Sequence, residues 1–264
     1  MSDSFSPDEL IERSIRLIEQ QREIYGDFST KTPPTKPIET ADIIETEKPA
    51  VVLSESQPKT NTEEPKPMPS KAELIANCTT LDELKALCET EEVLKTDLEG
   101  TNLVFGVGNP NADLMIVGEA PGVNEDKLGE PFVGRAGKLL DQIMEAIQLK
   151  RDDIYIANIL KHRPPDNRDP KAEERTRSLP YLLRQIEIIN PKLILCVGRI
   201  SATTLLGNDM ALKDMRQKFH PFHGRELMAT YHPAALLRNP NWKRPTWEDI
   251  QMLRKRYDEL GGKP

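Results

Sequence analysis

Residues 113–122 read DLMIVGEAPG, an apolar run that ends in a turn with glycines at 118 and 122. A short apolar run of this kind is typical of a parallel strand buried on both faces. The alternation of such runs with helical periodicity predicts an α/β protein, a three-layer α/β/α sandwich with a mainly parallel, four-stranded central sheet. Ligands of such sheets bind at the carboxyl ends of the strands. The other strand-like runs are 154–160, 193–197 and 226–230, and the helical segments are about 71–95, 136–148, 172–189, 199–206 and 246–260.

The turn after the first predicted strand is followed by a second glycine-rich segment, 129–137, which contains Phe132. Gly118 and Gly122 permit a ligand to approach the backbone closely, and Gly134 precedes a helix whose first N–H groups can face an anion. The pattern is neither GxGxxG nor GxxxxGK[ST], so the dinucleotide and P-loop signatures are excluded. Taken alone, Phe132 fits core packing as well as it fits a ligand contact.

Asn158 ends the second predicted strand, where an unpaired amide would be costly. An amide presents a donor and an acceptor together, which reading the edge of a base requires, and bonding to neighbouring backbone is the alternative. The following loop carries Lys161, His162, Arg163 and Arg168. These cations either lie near phosphates or form an ordinary solvated surface.

His232 follows the fourth predicted strand, in the segment TYHPAALLRNP at 230–240. A histidine in this place can donate a hydrogen bond to a developing anion, although a lone histidine is often structural. The next residues combine an apolar tip with a cation, as expected of a wedge that enters a stack of DNA bases. The residues of this wedge are Ala235, Leu236, Leu237 and Arg238.

Charge is distributed unevenly along the chain. The formal net charge is −7, but residues 1–70 carry −6, residues 71–150 carry −8 and residues 151–264 carry +7. An acidic protein argues against nucleic acid as a partner, whereas a basic carboxyl-terminal half that holds Asn158 and His232 permits one.

The composition of the first 70 residues predicts two domains, 1–70 and 71–264. Residues 8–25 have the spacing of a short amphipathic helix, and residues 29–70 contain eight prolines and no aromatic residue. Such a segment buries too little apolar surface to offset its ordering entropy, so we predict a disordered, acidic, Pro-rich tether. The helix either docks on a protein partner or packs on its own domain.

Several classes of protein are excluded. No apolar run approaches the 18 or so residues of a membrane span, and the first residues lack the order of a signal peptide. Cys78, Cys88 and Cys196 are odd in number and form no CxxC, which argues against a disulfide framework and a cysteine-rich zinc site. We therefore expect a cytoplasmic monomer without a membrane contact or a metal site.

The three strand-end segments together resemble the uracil-DNA glycosylase superfamily, and most closely its family-four branch. The resemblance rests on GEAPGVNED with GEPFVGRAGKLLD, on YIANILKHRPPDNRDP and on TYHPAALLRNP, and it covers about residues 100–257. It implies a hydrolase of base excision repair that breaks the N-glycosidic bond of uracil flipped out of DNA and leaves an abasic site.

The resemblance also implies a role for each site residue. Phe132 would stack on the extruded base, and Asn158 would bond the Watson–Crick edge that separates uracil from cytosine. His232 would stabilise the negative charge on the leaving base. The remaining assignments are the uracil-binding backbone at Gly118, Ala120 and Gly122 and the DNA wedge at 235–238.

The carboxylate that positions water is less constrained by the resemblance. Ala120 stands where the best-known branch carries its water-activating aspartate, which leaves Glu119, Glu125 and Asp126 as candidates. Glu119 follows the strand most closely, so we predict that it is the catalytic carboxylate.

Family four holds a [4Fe-4S] cluster on four cysteines, and none of the four is present here. The corresponding positions fall at His162, at Ser178, and near Glu91 and Leu94. Because such clusters are held by thiolates, we predict a glycosylase that has no cofactor and lacks the cluster. The alternatives on the same fold are a catalytically silent module that binds damaged or single-stranded DNA, and an enzyme of altered base specificity.

Overall fold

A computed structural model of the chain describes residues 69–263. The helix predicted at 8–25 and all but the last two residues of the predicted tether lie outside the described residues. Within the described part, no helix is both long and apolar enough to cross a membrane.

The centre of the structure is a sheet with the strand order β1-β3-β2-β4-β6-β5. The inner four strands are parallel to one another, as predicted, and the first and last strands pair antiparallel at the two edges. The predicted count of four strands was therefore wrong, because the sheet has six strands within residues 69–263. The two edge strands are only two and three residues long, too short to show an alternating pattern in the sequence. The strands are β1 (Val107–Gly108), β2 (Leu114–Gly118), β3 (Tyr155–Asn158), β4 (Leu193–Val197), β5 (His220–Phe222) and β6 (Arg225–Thr230).

Helices cover both faces of the sheet, which confirms the three-layer prediction. Met115 and Val117 of β2 pack into one apolar core together with helix residues such as Leu182, while Leu114 and Ile116 pack into the other. Successive side chains of a strand point to opposite faces, so a strand buried on both sides must be apolar throughout. The helices are α1 (Lys71–Asn77), α2 (Leu81–Thr90), α3 (Val123–Leu128), α4 (Arg135–Glu145), α5 (Ala172–Ile189), α6 (Arg199–Leu206), α7 (Leu212–Met215), α8 (Pro233–Arg238) and α9 (Lys243–Glu259).

Residues 70–94, here called the helix pair, contain α1, α2 and a 3₁₀ turn at Glu92–Leu94. The helical segment predicted at 71–95 is thus broken, because the chain becomes extended at Cys78 and restarts at Thr80. Each helix begins with a capping box, in which the hydroxyl and the glutamate three residues later satisfy backbone N–H groups reciprocally. The pair packs against α5 through a separate apolar cluster, whose buried members are Ile75, Cys78, Leu84, Cys88, Leu94, Phe105 and Tyr181.

Candidate active site

A cavity of about 370 Å³ opens at the carboxyl ends of the parallel strands. The segments that follow β2, β3 and β6 all contribute to its wall, as the strand-end rule predicts. The structure therefore brings together side chains that lie more than 100 residues apart in the sequence. Predicted site residues that line the cavity are Glu119, Ala120, Gly122, Phe132, Asn158, His232 and Arg238.

Gly118 lies directly behind the cavity wall and allows Phe132 and Asn158 to meet. It pairs with Asn158 in the parallel register of β2 and β3. A Cβ atom at position 118 would lie 2.6 Å from the Phe132 ring and closer still to Asn158 Oδ1. Any larger residue would therefore displace one of these two side chains, and only glycine fits.

Phe132 is held in an unusual backbone conformation, with φ at 56°. Such a left-handed conformation is uncommon for a bulky residue and persists only when its surroundings enforce it. Arg151 donates hydrogen bonds to the carbonyl oxygens of Pro131 and Phe132, and a Cβ atom at Gly137 would clash with the Phe132 backbone. The Phe132 ring lies 5.5 Å from the His232 ring, inclined by 29°. These contacts fix the aromatic ring as one wall of the cavity.

Asn158 carries a buried acceptor that no group satisfies. The residue is 2% exposed, and among residues 69–263 its Oδ1 atom has no hydrogen-bond partner. An orphaned buried carbonyl is expected to destabilise the fold by about 1–3 kcal/mol, so such groups are rare and call for a functional explanation. Its position on the cavity wall indicates that a ligand supplies the missing donor.

His232 is the N-cap of α8 and is held in one tautomer. Its Nδ1 atom accepts a hydrogen bond of 3.1 Å from the backbone N–H of Ala234. Burial, and then the positive charge of Arg238, lower the pKa of His232 to about 4. The ring is therefore neutral near pH 7, and because Nδ1 is an acceptor the single ring proton resides on Nε2. This leaves a neutral N–H donor at the cavity.

The three candidate carboxylates have different surroundings. Glu125 accepts hydrogen bonds from the backbone N–H groups of Gly122, Val133 and Gly134, so it ties the two glycine-rich segments together. Asp126 is used in the same way, since it accepts from the backbone N–H of Asn102. Glu125 thus braces the cavity wall, and Asp126 ties α3 to the segment at Asn102.

Glu119 and Glu125 both line the cavity, but of the three carboxylates that of Glu119 makes no hydrogen bond within residues 69–263. Burial, and then the negative charge of Asp169, raise its pKa to about 7. A carboxyl group whose pKa lies near the working pH is suited to exchanging a proton with water. Asp169 itself lines the cavity and was missed in the sequence, where nothing distinguishes it from other loop aspartates.

The cations in the loop after Asn158 fit neither alternative completely, because several of them have partners within the protein. Lys161 is fully buried and donates to Gln185 Oε1 and to the Phe105 and Asn158 carbonyl oxygens. Arg168 forms a pair of hydrogen bonds to the buried Glu174 carboxylate. Lys161, like the buried His162, therefore braces the fold and does not face solvent. Arg168 is partly exposed and lines the cavity, although its guanidinium is paired with Glu174. The sequence could not reveal this, because their partners are distant along the chain.

The predicted wedge is only partly exposed. Leu236 is 1% exposed and packs into the protein, so it is not a wedge residue in this structure. Leu237 is 40% exposed, and the neighbouring Arg238 is exposed as well. Consecutive residues of a helix point in different directions around its axis. Leu236 therefore packs into the protein while Leu237 projects from it.

The positions that correspond to cluster ligands in family four do not fit an iron–sulfur cluster. His162 Nδ1 lies 3.0 Å from the Thr101 hydroxyl, and the Ser178 hydroxyl donates to the Ile159 carbonyl at 2.6 Å. Leu94 has no ligand atom in its side chain and is buried in the apolar cluster of the helix pair. In the described range, no group of three or more His, Cys, Asp or Glu residues is arranged to hold a metal ion.

Comparison with known proteins agrees with the geometry and with the sequence resemblance. The family model described as the uracil DNA glycosylase superfamily matches residues 105–251. The type-4 uracil-DNA glycosylase of Sulfurisphaera tokodaii is 46% identical over 62% of this chain and 82% of the relative. The type-4 enzyme of Archaeoglobus fulgidus is 43% identical over 62% of this chain and 84% of the relative. The chain belongs to the uracil DNA glycosylase superfamily.

Proposed function

We propose that this protein is a DNA repair glycosylase that hydrolyses the N-glycosidic bond of uracil flipped out of DNA. The observation that carries the proposal is the unsatisfied Asn158 Oδ1 atom, buried in the same cavity as the neutral His232 ring. An acceptor without a donor and a donor aimed at a possible anion together specify a ligand with a matching polar edge. The relatives named as type-4 uracil-DNA glycosylases support uracil as that ligand.

Asn158 would select the base through the directions of its hydrogen bonds. Uracil presents an N3–H donor beside the O4 acceptor, so the amide oxygen accepts from N3 while the amide nitrogen donates to O4. Cytosine presents an acceptor at N3 and a donor at N4, which reverses both directions. Since the amide is buried, a mismatched base would leave its polar atoms unpaired, and such a mismatch discriminates strongly.

Phe132 would hold the flipped base by stacking on one face. Its ring is fixed by the Arg151 contacts to the backbone and by the absence of a side chain at Gly118. Enzymes that act on extruded bases commonly enclose them between aromatic or apolar side chains. Gly122 donates its N–H to Glu125, so in this proposal it shapes the turn and does not bind the uracil carbonyl.

His232 would act on the leaving group. When the C1′–N1 bond breaks, its electron pair leaves with the base, and a uracil anion forms beside an oxocarbenium-like sugar. A neutral Nε2–H donor placed at the developing anion stabilises the transition state without requiring a proton transfer. The low pKa of His232, about 4, keeps this donor neutral at physiological pH.

Glu119 would position the attacking water. In its ionised form it accepts a hydrogen bond from the water whose oxygen forms the new bond to C1′, and it takes up the proton released. Its negative charge also stabilises the cationic sugar. Glu125 and Asp126 are not available for this task because both bond backbone N–H groups.

The exposed part of the wedge, Leu237 with Arg238, would open or fill the duplex beside the cavity. It lies in the carboxyl-terminal part of the chain, 151–264, which carries a net charge of +7. The attraction of this part to phosphates offsets the repulsion expected from the acidic remainder.

We also propose that the enzyme works without an iron–sulfur cluster. His162 and Ser178 have other hydrogen-bond partners, Glu91 pairs with Lys71, and Leu94 carries no ligand atom. The test is the visible absorbance and the iron and sulfide content of the full-length protein, purified without oxygen. A colourless, iron-free protein that excises uracil supports the proposal. A brown protein with stoichiometric iron and sulfide would overturn it.

For residues 1–70 we propose recruitment of a protein partner. Removal of residues 1–68 should then leave uracil excision by the purified protein unchanged. A large loss of excision would show instead that the segment takes part in catalysis or DNA binding.

The decisive experiment uses an oligonucleotide with a single uracil, followed by alkaline scission of the abasic site. We expect the wild-type protein to yield the cleaved product and Asn158→Ala to be slowed by about 100-fold or more. The exposed Asn111 supplies the control, since Asn111→Ala removes the same amide outside the cavity and should retain full activity. Absence of product with the wild type, or equal product with Asn158→Ala, would refute the assignment and favour a DNA-binding module.

A further inference from the structure

Three side chains outside the cavity lining form a stacked column around Tyr231, the residue before His232. The Arg216 guanidinium lies 4.3 Å from the centroid of the Tyr231 ring. The Tyr231 ring stacks in turn on Trp242, with 4.9 Å between centroids and 8° between planes. Tyr231 immediately precedes His232 in the sequence, so the column is joined directly to a site residue.

The inner end of the column is fixed by buried polar contacts. Arg216 donates to the fully buried Asp249 at 2.7 Å and to the carbonyl oxygen of Pro245 at 2.8 Å. Asp249 also accepts from the Thr230 hydroxyl at 2.6 Å. A cation held against an aromatic face in this way is a rigid arrangement, so little conformational entropy is lost when another ring is added to the column.

The outer end of the column is open. One face of the Trp242 ring is covered by Tyr231, yet 37% of the residue remains exposed. Tyr231 occupies one face of the ring, so the opposite face is the one left for a further ring to stack on. A tryptophan that is rigidly held, flat and exposed is what proteins that bind single strands offer to bases.

The surroundings of Trp242 are cationic. The stretch 231–247 contains no Asp or Glu, and it includes Arg238, Lys243 and Arg244, all of them exposed. The next acidic residue in the sequence is Glu248, whose carboxylate lies 3.6 Å from Arg244. The buried Asp249 carboxylate is paired with Arg216. An aromatic platform among cations matches the chemistry of a nucleotide, which has a π face and a phosphate.

We infer that Trp242 is a stacking platform for an unpaired DNA base that neighbours the flipped uracil. The inference rests on the proposed function, and it assigns to the enzyme a subsite for single-stranded or locally opened DNA. Bases within an intact duplex are already stacked on one another, so the platform favours single-stranded substrate. Base stacking on an aromatic ring tolerates every base, so the subsite carries no sequence preference.

The test measures binding of the full-length protein to a fluorescently labelled oligothymidylate without uracil, so that turnover plays no part. We expect Trp242→Ala to weaken binding about 5- to 100-fold and Trp242→Phe to restore most of it. Trp247 is the matched control, because it is 40% exposed and forms no aromatic stack within the described residues. Trp247→Ala should bind like the wild type.

A second measurement follows the fluorescence of Trp242 in the folded protein. The chain has two tryptophans, so in Trp247→Phe the tryptophan emission, excited selectively over that of the tyrosines, comes from Trp242 alone. Stacking of a base should quench this emission as oligothymidylate is added, and much less on addition of a duplex. Wild-type binding by Trp242→Ala, equal losses in both alanine variants, or no quenching would each overturn the inference. Because the probe lacks uracil, binding with quenching but without uracil excision elsewhere would overturn the proposed function while leaving the platform in place.

Discussion

The cavity and the helix pair at 70–94 differ in backbone strain and in how their polar groups are satisfied. At the cavity, Phe132 has a left-handed backbone, Asn158 Oδ1 is buried without a partner in residues 69–263, and the pKa of Glu119 is raised. In the helix pair, which the structure describes throughout, no residue has a positive φ and both helices begin with satisfied capping boxes. The cavity thus holds a strained backbone and an unsatisfied polar atom of its own, whereas the two helices are unstrained. In the apolar cluster on which they pack, the Tyr181 hydroxyl is the buried polar atom without a partner among the described residues.

This difference indicates that the cavity residues are retained for catalysis and the residues of the helix pair for stability. Strain and unsatisfied polar groups persist only where the surroundings enforce them, and they cluster at functional sites. The helix pair contains two of the positions that hold a cluster in family four, yet its interior is closed by leucine and cysteine packing. We therefore expect substitutions at the cavity to reduce activity with little loss of stability, and substitutions in the helix pair to do the reverse.

The largest effect is expected from His232→Ala. Loss of the donor to the leaving base should lower kcat for uracil excision about 10²- to 10³-fold, as removal of one oxyanion donor does in other enzymes. The lost N-cap should lower the free energy of unfolding by only about 1 kcal/mol. Single-turnover excision and thermal unfolding measure the two effects. The exposed His223, changed to Asn to suit its positive φ, is the control and should match the wild type.

The second largest effect is expected from Glu119→Gln. This change should lower kcat for uracil excision about 10²-fold at pH 8 and alter the pH profile. The pKa of Glu119 is about 7, so the ionised form that acts on water is lost as the pH falls below 7. The wild-type kcat/KM should then fall about tenfold per pH unit on the acidic side, and the glutamine variant should lose this dependence. His232, with a pKa of about 4, cannot cause it. If kcat/KM of Glu119→Gln still fell below pH 7, the titration would belong to another group.

Leu94→Ala tests the other region. The side chain is 2% exposed in the apolar cluster of the helix pair, so its truncation should lower the free energy of unfolding by about 2 kcal/mol. Excision below the unfolding transition should stay within twofold of the wild type, because Leu94 does not line the cavity. Denaturant unfolding and the uracil assay check the two statements. Loss of activity without loss of stability would show instead that the helix pair contributes to catalysis.

Much of the fold could be predicted because long apolar patterns determine it. The approximate bounds predicted for α5 and α6, and the bounds predicted for β4, match the structure, since each segment buries a continuous apolar face. The edge strands β1 and β5 were missed, because a strand of two or three residues depends on its neighbour for its conformation. Local pattern cannot reveal a pairing that tertiary contacts impose.

The same limit applies to the site. The meeting of Glu119, Asn158 and His232 could be predicted, because each follows a parallel strand and such strand ends share one edge. The burial of Leu236 and of Lys161 could not, since their partners come from distant segments. The use of Glu125 as a brace was equally hidden, because it depends on a loop eight residues away closing onto it. Sequence order reveals which residues reach the site, whereas packing decides which of them remain free to act.

The smallest effect is expected from Thr80→Ala, which removes one cap from the helix pair. The Thr80 hydroxyl accepts from the Glu83 N–H at 3.2 Å, and the Glu83 carboxylate bonds back to the N–H groups of Thr79 and Thr80. Its loss should lower the free energy of unfolding by about 1 kcal/mol, and Thr80→Ser, which keeps the hydroxyl, should recover most of it. Because the cap is exposed and lies outside the cavity, uracil excision should not change. If Thr80→Ala slowed excision and Thr80→Ser restored it, the helix pair would be coupled to the site, and stability and catalysis could no longer be assigned to separate regions.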